Sequence, residues 1–274
     1  LTHRFQGRRE GGYAMTYTTL ASIVKYPYPS TQATPEHPKF GYFSSEADIF
    51  NKISNELGMI GRHPLVYLVE AADDICYEIM DIEDAHKLKI LSDEETLSLL
   101  FAFFDEEVQQ SIRERIEREN ISDVNEQVVY LRASVIGKLE NECVKAFLDN
   151  EDAILNGTFK GSLIEHISPR QRDAYVRCTE VAIKRIYKSK SVLDIELGGY
   201  SIIETLMTKM VEAILHPDRY YSKQLLMRVS SQYEISAPDL ETRIMAVLDF
   251  ISGMTDVFAL DFYQKINGTS LPIV

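Results

Sequence analysis

Apolar residues along much of this chain recur at steps of three and four, the period of an α-helix that buries one face. The longest such series, in residues 122–148, is Val124, Val128, Leu131, Val135, Leu139 and Val144. The same period, together with capping and breaking residues, predicts further helices at 15–25, 44–57, 64–86, 169–187, 192–215 and 239–267. The strongly charged segment 108–119 is expected to be exposed. One more helix begins after Ser92, because three acidic residues follow it, as is typical of a helix N-terminus.

Alternation of period two, which is typical of strands, is nearly absent. Only 128–130 and 155–159 would suit a strand, and both pieces are short. Four prolines within 27–42 predict an irregular loop there. We therefore predict an all-α protein, a bundle of many helices with room for at most one small hairpin.

The predicted helix 64–86 carries Asp73, Tyr77 and Asp81 at intervals of four, so each lies about one turn, ~6 Å, beyond the last on nearly the same face. Most residues around them are apolar, and a helix that is apolar nearly all round is a buried helix. A buried carboxylate needs a partner, such as a metal ion or a ligand hydroxyl. Acidic runs are usually solvated helix faces, so the periodicity leaves a ligand site and an exposed acidic face as alternatives.

Two other places combine unusual residues. Lys25 and Tyr26 lie at the end of the first predicted helix, where a lysine is favoured by the helix dipole but could also bind a phosphate. Ser252 and Gly253 lie inside the last predicted helix, where such residues cost about 1 kcal/mol relative to alanine. Close helix packing is the simpler explanation of that cost, and a nearby ligand is the alternative.

Composition narrows the class of function. The 274 residues are 45% hydrophobic and 26% charged, which fits one large domain or two smaller ones. The net charge of -13 argues against a broad nucleic-acid-binding surface, because such a surface needs clustered cations. A small anion in a local basic pocket remains compatible with this charge, and nucleic acid stays open as a partner.

Location and chain extent follow from a few further features. The longest apolar run, 97–104, is far too short to span a bilayer, so we expect no membrane partner. The first ten residues lack the apolar region of a signal peptide, and the three cysteines are widely spaced, so we expect reduced thiols and a cytoplasmic location. Because the chain opens on Leu1 rather than methionine, we expect it to be part of a longer protein.

Common catalytic motifs are missing from the sequence. The six histidines show neither HxxxH nor HExxH spacing, and there is no phosphate-binding GxxxxGK[ST] or GxGxxG loop. No catalytic residue is therefore assigned within this chain.

Three segments, taken together, resemble one known family. Residues 62–77 (RHPLVYLVEAADDICY) resemble the central helix of the HD-domain deoxynucleoside triphosphate triphosphohydrolases, the dGTPase family. Residues 251–256 (ISGMTD) resemble that family's C-terminal signature, and 16–17 with 25–27 resemble its post-core segment. The three segments occur in the family's order, and the resemblance covers essentially the whole chain.

The resemblance implies a reaction and a set of contacts. In this family a divalent metal such as Mg²⁺ or Mn²⁺ is held by a His, a His-Asp pair and a later Asp, which Asp73 matches. Tyr77 and Asp81 match the contacts to the deoxyribose, and Lys25 and Tyr26 match the contacts to the triphosphate. Water attack on the α-phosphorus of a deoxynucleoside triphosphate, dGTP or another, then gives a deoxynucleoside and inorganic triphosphate. The family also tends to form homo-oligomers.

The chain departs from the family in one respect. No His-Asp dipeptide occurs in it, and one carboxylate cannot hold a divalent ion. We therefore interpret 1–90 as the C-terminal part of an HD-type catalytic core and 91–274 as a helical C-terminal region. We expect the isolated chain to be incompetent for hydrolysis and to bind no metal. The alternative is a non-catalytic helical module for regulation or interaction.

Overall fold

The computed structural model describes residues 13–36 and 38–270, and the predicted all-α class is confirmed there. The first unit along the chain contains eight of the described α-helices: α1 Tyr17–Ser22, α2 Ala47–Glu56, α3 Pro64–Lys87, α4 Asp93–Phe101, α5 Glu106–Arg118, α6 Val124–Asp149, α7 Glu151–Leu155 and α8 Pro169–Val181. The others are α9 Lys190–Leu215, α10 Tyr220–Leu226, α11 Leu240–Ser252 and α12 Asp256–Ile266. Short 3₁₀ turns occur at Ser30–Gln32, Ser44–Glu46 and Leu163–His166, and a π-helical turn, Ala182–Ile186, prolongs α8.

The segments considered for strands are not strands. Residues 128–130 lie inside α6, and 155–159 form the end of α7 and the turn after it. Across the described parts of the chain, β pairing is limited to an isolated parallel bridge between Pro29 and Tyr42. The option of a small hairpin was therefore wrong.

The last predicted helix, 239–267, is two helices rather than one. α11 ends with Gly253 as its C-cap, and Thr255 begins α12 by accepting a hydrogen bond from the backbone N–H of Phe258. A Cβ atom at Gly253 would lie 3.1 Å from the phenol oxygen of Tyr233, so the glycine permits a close contact. This contact fits the packing explanation of Gly253 better than the ligand explanation.

The described chain forms two compact units. One spans 16–189, and the other comprises the described residues 13–15 and 190–270. The predicted division at residue 90 concerns the extent of the family's catalytic core and stays a prediction. No described helix is both long and apolar enough to cross a membrane.

The core of the first unit is built on α3 and α6. Pro64 opens α3 at its first turn, and the side chain of His63 caps it by accepting from the backbone N–H of Leu65. α3 packs mainly against α6. The buried seam consists of Ile75, Ile79 and Ile82 from α3 with Leu131, Val135 and Leu139 from α6.

The core of the second unit lies around the C-terminal half of α9. This half packs against α10, α11 and α12. Its buried side chains include Leu206 and Met210, which form one cluster with Val247, Phe250 and Phe262. The N-terminal half of α9 contributes little to that cluster.

Candidate functional site

The row of Asp73, Tyr77 and Asp81 is largely exposed on α3. Asp73 is exposed, 60% of the surface of Tyr77 is accessible, and Asp81 is half-buried. Of the two alternatives, the structure favours an exposed face for Asp73 and Tyr77, and the expectation of a helix buried nearly all round was wrong. Only one side of α3 faces α6, and the apolar Leu68 and Val69 on other sides are exposed as well.

Tyr77 and Asp81 lie beside a residue that the sequence analysis did not single out. The hydroxyl of Tyr187 donates a hydrogen bond of 2.7 Å to Oδ2 of Asp81. The rings of Tyr77 and Tyr187 have centroids 6.4 Å apart. Burial and the hydrogen bond to Asp81 raise the pKa of Tyr187, so this phenol stays protonated and keeps donating. Two phenols and one carboxylate thus form a small polar cluster on α3.

Lys25 and Tyr26 lie elsewhere, in a cleft of about 570 Å³ within the first unit. The cleft is open to solvent and mixes aromatic, glycine and charged residues. Its other lining residues include Arg62, Tyr67, Glu70, Asp74, Phe159 and Glu165. The structure therefore divides four of the five predicted site residues between two places: Lys25 and Tyr26 line this cleft, whereas Tyr77 and Asp81 belong to the polar cluster with Tyr187. The fifth residue, Asp73, is exposed on α3 and is part of neither group.

Glu70 pairs with both cations of the cleft. Its Oε1 lies 2.9 Å from Nζ of Lys25, and its Oε2 lies 2.5 Å from Nη2 of Arg62. The guanidinium of Arg62 also stacks over the ring of Tyr67, with 4.5 Å between Cζ and the ring centroid. The hydrogen bond to Glu70 raises the pKa of Lys25, so the lysine is charged at neutral pH. An anionic ligand in this cleft has to share these cations with Glu70 or displace it.

Carboxylates outnumber cations in the cleft. Asp74 and Glu165 line it together with Glu70, opposite Lys25 and Arg62. Burial raises the pKa of Asp74, and the nearby charges of Glu70 and Asp73 act in the same direction although Lys25 opposes them. Such a balance favours a ligand that carries some positive charge.

Asp73 does not meet enough partners to form a metal site. Among residues 13–36 and 38–270, no group of three or more His, Cys, Asp or Glu side chains could hold a metal ion. Catalytic sites usually hold a divalent ion through three protein ligands. The described residues therefore do not fit the family's metal site, and we derive no step through a metal.

Glu78 is a buried carboxylate that the sequence analysis passed over. Its Oε2 accepts a hydrogen bond of 2.9 Å from the hydroxyl of Thr179, and Oε1 is buried without a hydrogen-bond partner in the described structure. Burial raises the pKa of Glu78 to about 7. The only signal in the sequence was the position of Glu78 between Ile75 and Ile82, on the face that packs against the core.

The chain is similar to one known protein family and to several known proteins, whose names agree with one another. Residues 166–265 match the family described as the phosphohydrolase-associated domain. A deoxyguanosinetriphosphate triphosphohydrolase-like protein of Pseudomonas aeruginosa is 31% identical over 282 residues, which cover 96% of this chain and 62% of that protein. A protein of the same name from Synechocystis sp. is 32% identical over 285 residues, with coverage of 96% and 62%. The deoxyguanosinetriphosphate triphosphohydrolase of Yersinia enterocolitica is 26% identical over 302 residues, with coverage of 92% and 60%.

The described chain is helical, and its residues 166–265 are similar to the phosphohydrolase-associated domain. These similarities support a relationship of the chain to the HD-domain dGTPase family. It spans about three fifths of the length of the curated relatives it matches.

Proposed function

We propose that this chain supplies substrate contacts and helical scaffold to a deoxynucleoside triphosphate triphosphohydrolase. The observation that carries this proposal is the similarity to proteins named dGTPase or dGTPase-like, which extends over 96% of the chain. The substrate is dGTP or another deoxynucleoside triphosphate, and the products are a deoxynucleoside and inorganic triphosphate. The three free cysteines fit the expected cytoplasmic location.

Lys25 and Tyr26 are the proposed triphosphate contacts, and the cleft adds Arg62 to them. The guanidinium of Arg62 and the ammonium of Lys25 both pair with Glu70, and both kinds of cation bind phosphate oxygens. When a phosphate binds, each cation would exchange its charge-assisted contact with Glu70 for one with a phosphate oxygen. Glu70 would hold both cations in position until the substrate arrives.

Tyr77 and Asp81 are the proposed deoxyribose contacts. Because Tyr187 fixes one oxygen of Asp81, the other oxygen is oriented to accept from a sugar hydroxyl. The exposed phenol of Tyr77 provides a flat surface against which a sugar ring can pack. Tyr187 is then a positioning residue that acts through Asp81.

Asp73 remains the predicted ligand of the family's divalent metal, Mg²⁺ or Mn²⁺, which would supply electrophilic stabilisation of the phosphoryl oxygens. The described residues give Asp73 no partner ligands for that ion. We therefore propose that the isolated chain binds the nucleotide without hydrolysing it. Measurable release of triphosphate from dGTP by the purified chain with Mg²⁺ or Mn²⁺ would contradict this part of the proposal.

Calorimetric titration of the purified chain with dGTP, and with inorganic triphosphate alone, tests the phosphate contacts. Lys25→Ala should weaken binding of both about tenfold or more, because a hydrogen bond to a charged group is worth about 1.5–3 kcal/mol. The matched control is Lys184→Ala, which removes an exposed lysine with a single carboxylate partner, Glu180, at 2.9 Å. Equal affinities in the two variants, or no binding to the wild-type chain, would contradict the proposal.

The alternative of a non-catalytic interaction module draws support from exposed apolar side chains on α3 and α9. A module of that kind would bind neither dGTP nor triphosphate and would associate with a protein instead. The same titration separates the two functions, because only a substrate-binding chain responds to Lys25→Ala.

A further inference from the structure

Three hydrogen bonds join α3 to α8 and to the π-helical turn Ala182–Ile186 that prolongs α8. In each of them, a hydroxyl of the later segment donates to an oxygen on α3. The pairs are Tyr175 with the backbone carbonyl of Asp74 at 3.1 Å, Thr179 with Oε2 of Glu78 at 2.9 Å and Tyr187 with Oδ2 of Asp81 at 2.7 Å. All six residues belong to the first compact unit.

The three donors do not have the spacing of a regular α-helix. Tyr175 and Thr179 are four residues apart, which sets them on one face, but Tyr187 follows Thr179 by eight residues. Successive residues of an α-helix are turned by about 100°, so a separation of eight would direct two side chains about 80° apart. A separation of seven, which ends at Ile186, would bring the two directions within about 20°. A regular helix would therefore direct Ile186, which has no hydrogen-bonding side chain, toward Asp81.

The π-helical turn corrects this difference. Within it the backbone N–H of Tyr187 donates at 3.0 Å to the carbonyl of Ala182, five residues earlier, whereas an α-helix pairs residues four apart. The turn thus contains one residue more than an α-helical turn. Tyr187 takes the direction that the seventh residue after Thr179 would have in a regular helix, and Ala182 and Ile186 both stay buried. Such turns are rare and often occur at functional sites.

Contacts with α3 fix both ends of this turn. Glu78 is buried and precedes Asp81 by three residues, so the two acceptors lie on the same side of α3 within one turn. Thr179, which donates to Glu78, lies three residues before the turn begins, and Tyr187 follows its last residue directly. The turn therefore spans the distance between two hydrogen bonds to the same helix.

We propose that the π-helical turn is a positioning element of the sugar contacts: its extra residue places Tyr187 on Asp81, and the hydrogen bond between Thr179 and Glu78 anchors the turn against α3. This inference rests on the proposed function, since it takes Asp81 as a contact to the deoxyribose. With Tyr187 in place, one carboxylate oxygen is occupied and the other faces the ligand. Thr179 and Glu78 are then positioning residues that act through Tyr187 and Asp81.

NMR of the chain labelled with ¹³C at the ζ carbon of tyrosine measures the state of Tyr187 without any ligand, and Tyr187→Phe assigns its signal. In the wild-type chain this signal should keep its position up to about pH 11, because burial and the bond to Asp81 raise the pKa of Tyr187 above the usual value of about 10. Loss of the bond should lower the pH at which the signal shifts.

Changes of length test the turn itself. Insertion of one alanine after Lys184 should turn Tyr187 away from Asp81 by about 100°, so that its signal shifts at lower pH. Insertion of one alanine after Lys188, beyond Tyr187, is the matched control and should change nothing at Tyr187. Deletion of Lys184 should also keep the wild-type signal, because a regular α-helix then gives Tyr187 the same direction. Release of Tyr187 by the deletion, or an unchanged signal after the insertion at Lys184, would overturn the proposal.

Substitutions at Thr179 test the anchor without a change of length. Thr179→Val removes the hydroxyl at nearly constant size and should lower the pH at which the Tyr187 signal shifts. Thr179→Ser restores a hydroxyl and should return the signal toward that of the wild type. Circular dichroism of every variant shows whether the helices are retained. A folded Thr179→Val chain with an unchanged Tyr187 signal would show that the bond to Glu78 does not anchor the turn.

Nucleotide binding is a separate readout. The insertion after Lys184 should weaken dGTP binding about tenfold, since a hydrogen bond from a carboxylate is lost, and should leave the affinity for inorganic triphosphate unchanged. Equal loss of both affinities would mean that the turn has only a structural role and would overturn the proposal. A wild-type chain that binds neither ligand would contradict the proposed function, whereas the NMR measurement would still decide whether the turn positions Tyr187.

Discussion

Glu78 places a carboxylate inside the interface between α3 and α8, with one hydrogen bond for its two oxygens. The residue is only 4% exposed. Desolvation disfavours the ionised form, which is why its pKa is raised to about 7 from 4.5. A buried group that titrates near neutral pH makes stability depend on pH in a definite direction.

Below pH 4.5 the carboxyl of Glu78 is protonated in both the folded and the unfolded chain and costs nothing. Between 4.5 and about 7 the unfolded chain loses the proton while the folded chain keeps it, so stability falls. Glu78→Gln, which cannot ionise, should therefore gain stability over wild type as pH rises through this window, by up to about 3 kcal/mol at pH 8. Urea unfolding at pH 5 and at pH 8 measures this difference.

Glu180→Gln on α8 is the control for Glu78→Gln. Lys184 lowers the pKa of the exposed Glu180, which is the opposite direction. This variant should show no gain above pH 7. If Glu78→Gln behaved like Glu180→Gln, the buried position of Glu78 would be incorrect.

Periodicity could predict which residues share a face of a helix, but not whether that face contacts other helices or solvent. Asp73, Tyr77 and Asp81 do lie along one side of α3, as the spacing of four requires. Their exposure depends on how many helices surround α3, and a single helix pattern carries no such information. Likewise the pairing of Asp81 with Tyr187 joins residues 106 positions apart, which no local rule anticipates.

At the scale of helices, the predicted helix ends agree with the structure where a capping signal was used to place them. Ser92 and Glu95 form a reciprocal pair of hydrogen bonds at the start of α4, at 3.2 and 3.1 Å, as the acidic residues after Ser92 suggested. The same kind of signal was present at Thr255 and Asp256, but the apolar period continued across it. The apolar period predicts one helix over 239–267, whereas in the structure the cap at Thr255 divides α11 from α12.

Thr255→Ala tests this division. The hydroxyl of Thr255 accepts a hydrogen bond of 3.2 Å from the backbone N–H of Phe258. Loss of such a cap should lower the free energy of unfolding by about 1 kcal/mol, measured by urea or thermal unfolding. Thr255→Ser keeps a hydroxyl and should cost much less. A continuous helix across residues 252–256 would make the alanine variant neutral or stabilising, because alanine favours helix interiors.

At the scale of the whole chain, the all-α class could be predicted from the composition and the helical period of the apolar residues. The pairing of distant charges could not. The sequence shows a net charge of -13 but not which acids are paired. In the structure Glu70 pairs with both Lys25 and Arg62, and Glu83 pairs with both Lys87 and Arg132. Because these cations are already paired with acidic residues, the other acidic residues on the surface dominate the electrostatic field around the protein.

Self-repulsion among those acids should destabilise the folded chain at low ionic strength. Added sodium chloride screens it, since the Debye length falls from about 30 Å at 0.01 M to about 10 Å at 0.1 M. We therefore expect the free energy of unfolding at pH 7.5 to rise by about 1 kcal/mol between these conditions. At pH 5, near the sequence isoelectric point of 5.0, the same salt step should give no gain. Stability that falls with salt at pH 7.5 would mean that exposed ion pairs such as Arg185 with Glu95 outweigh the repulsion.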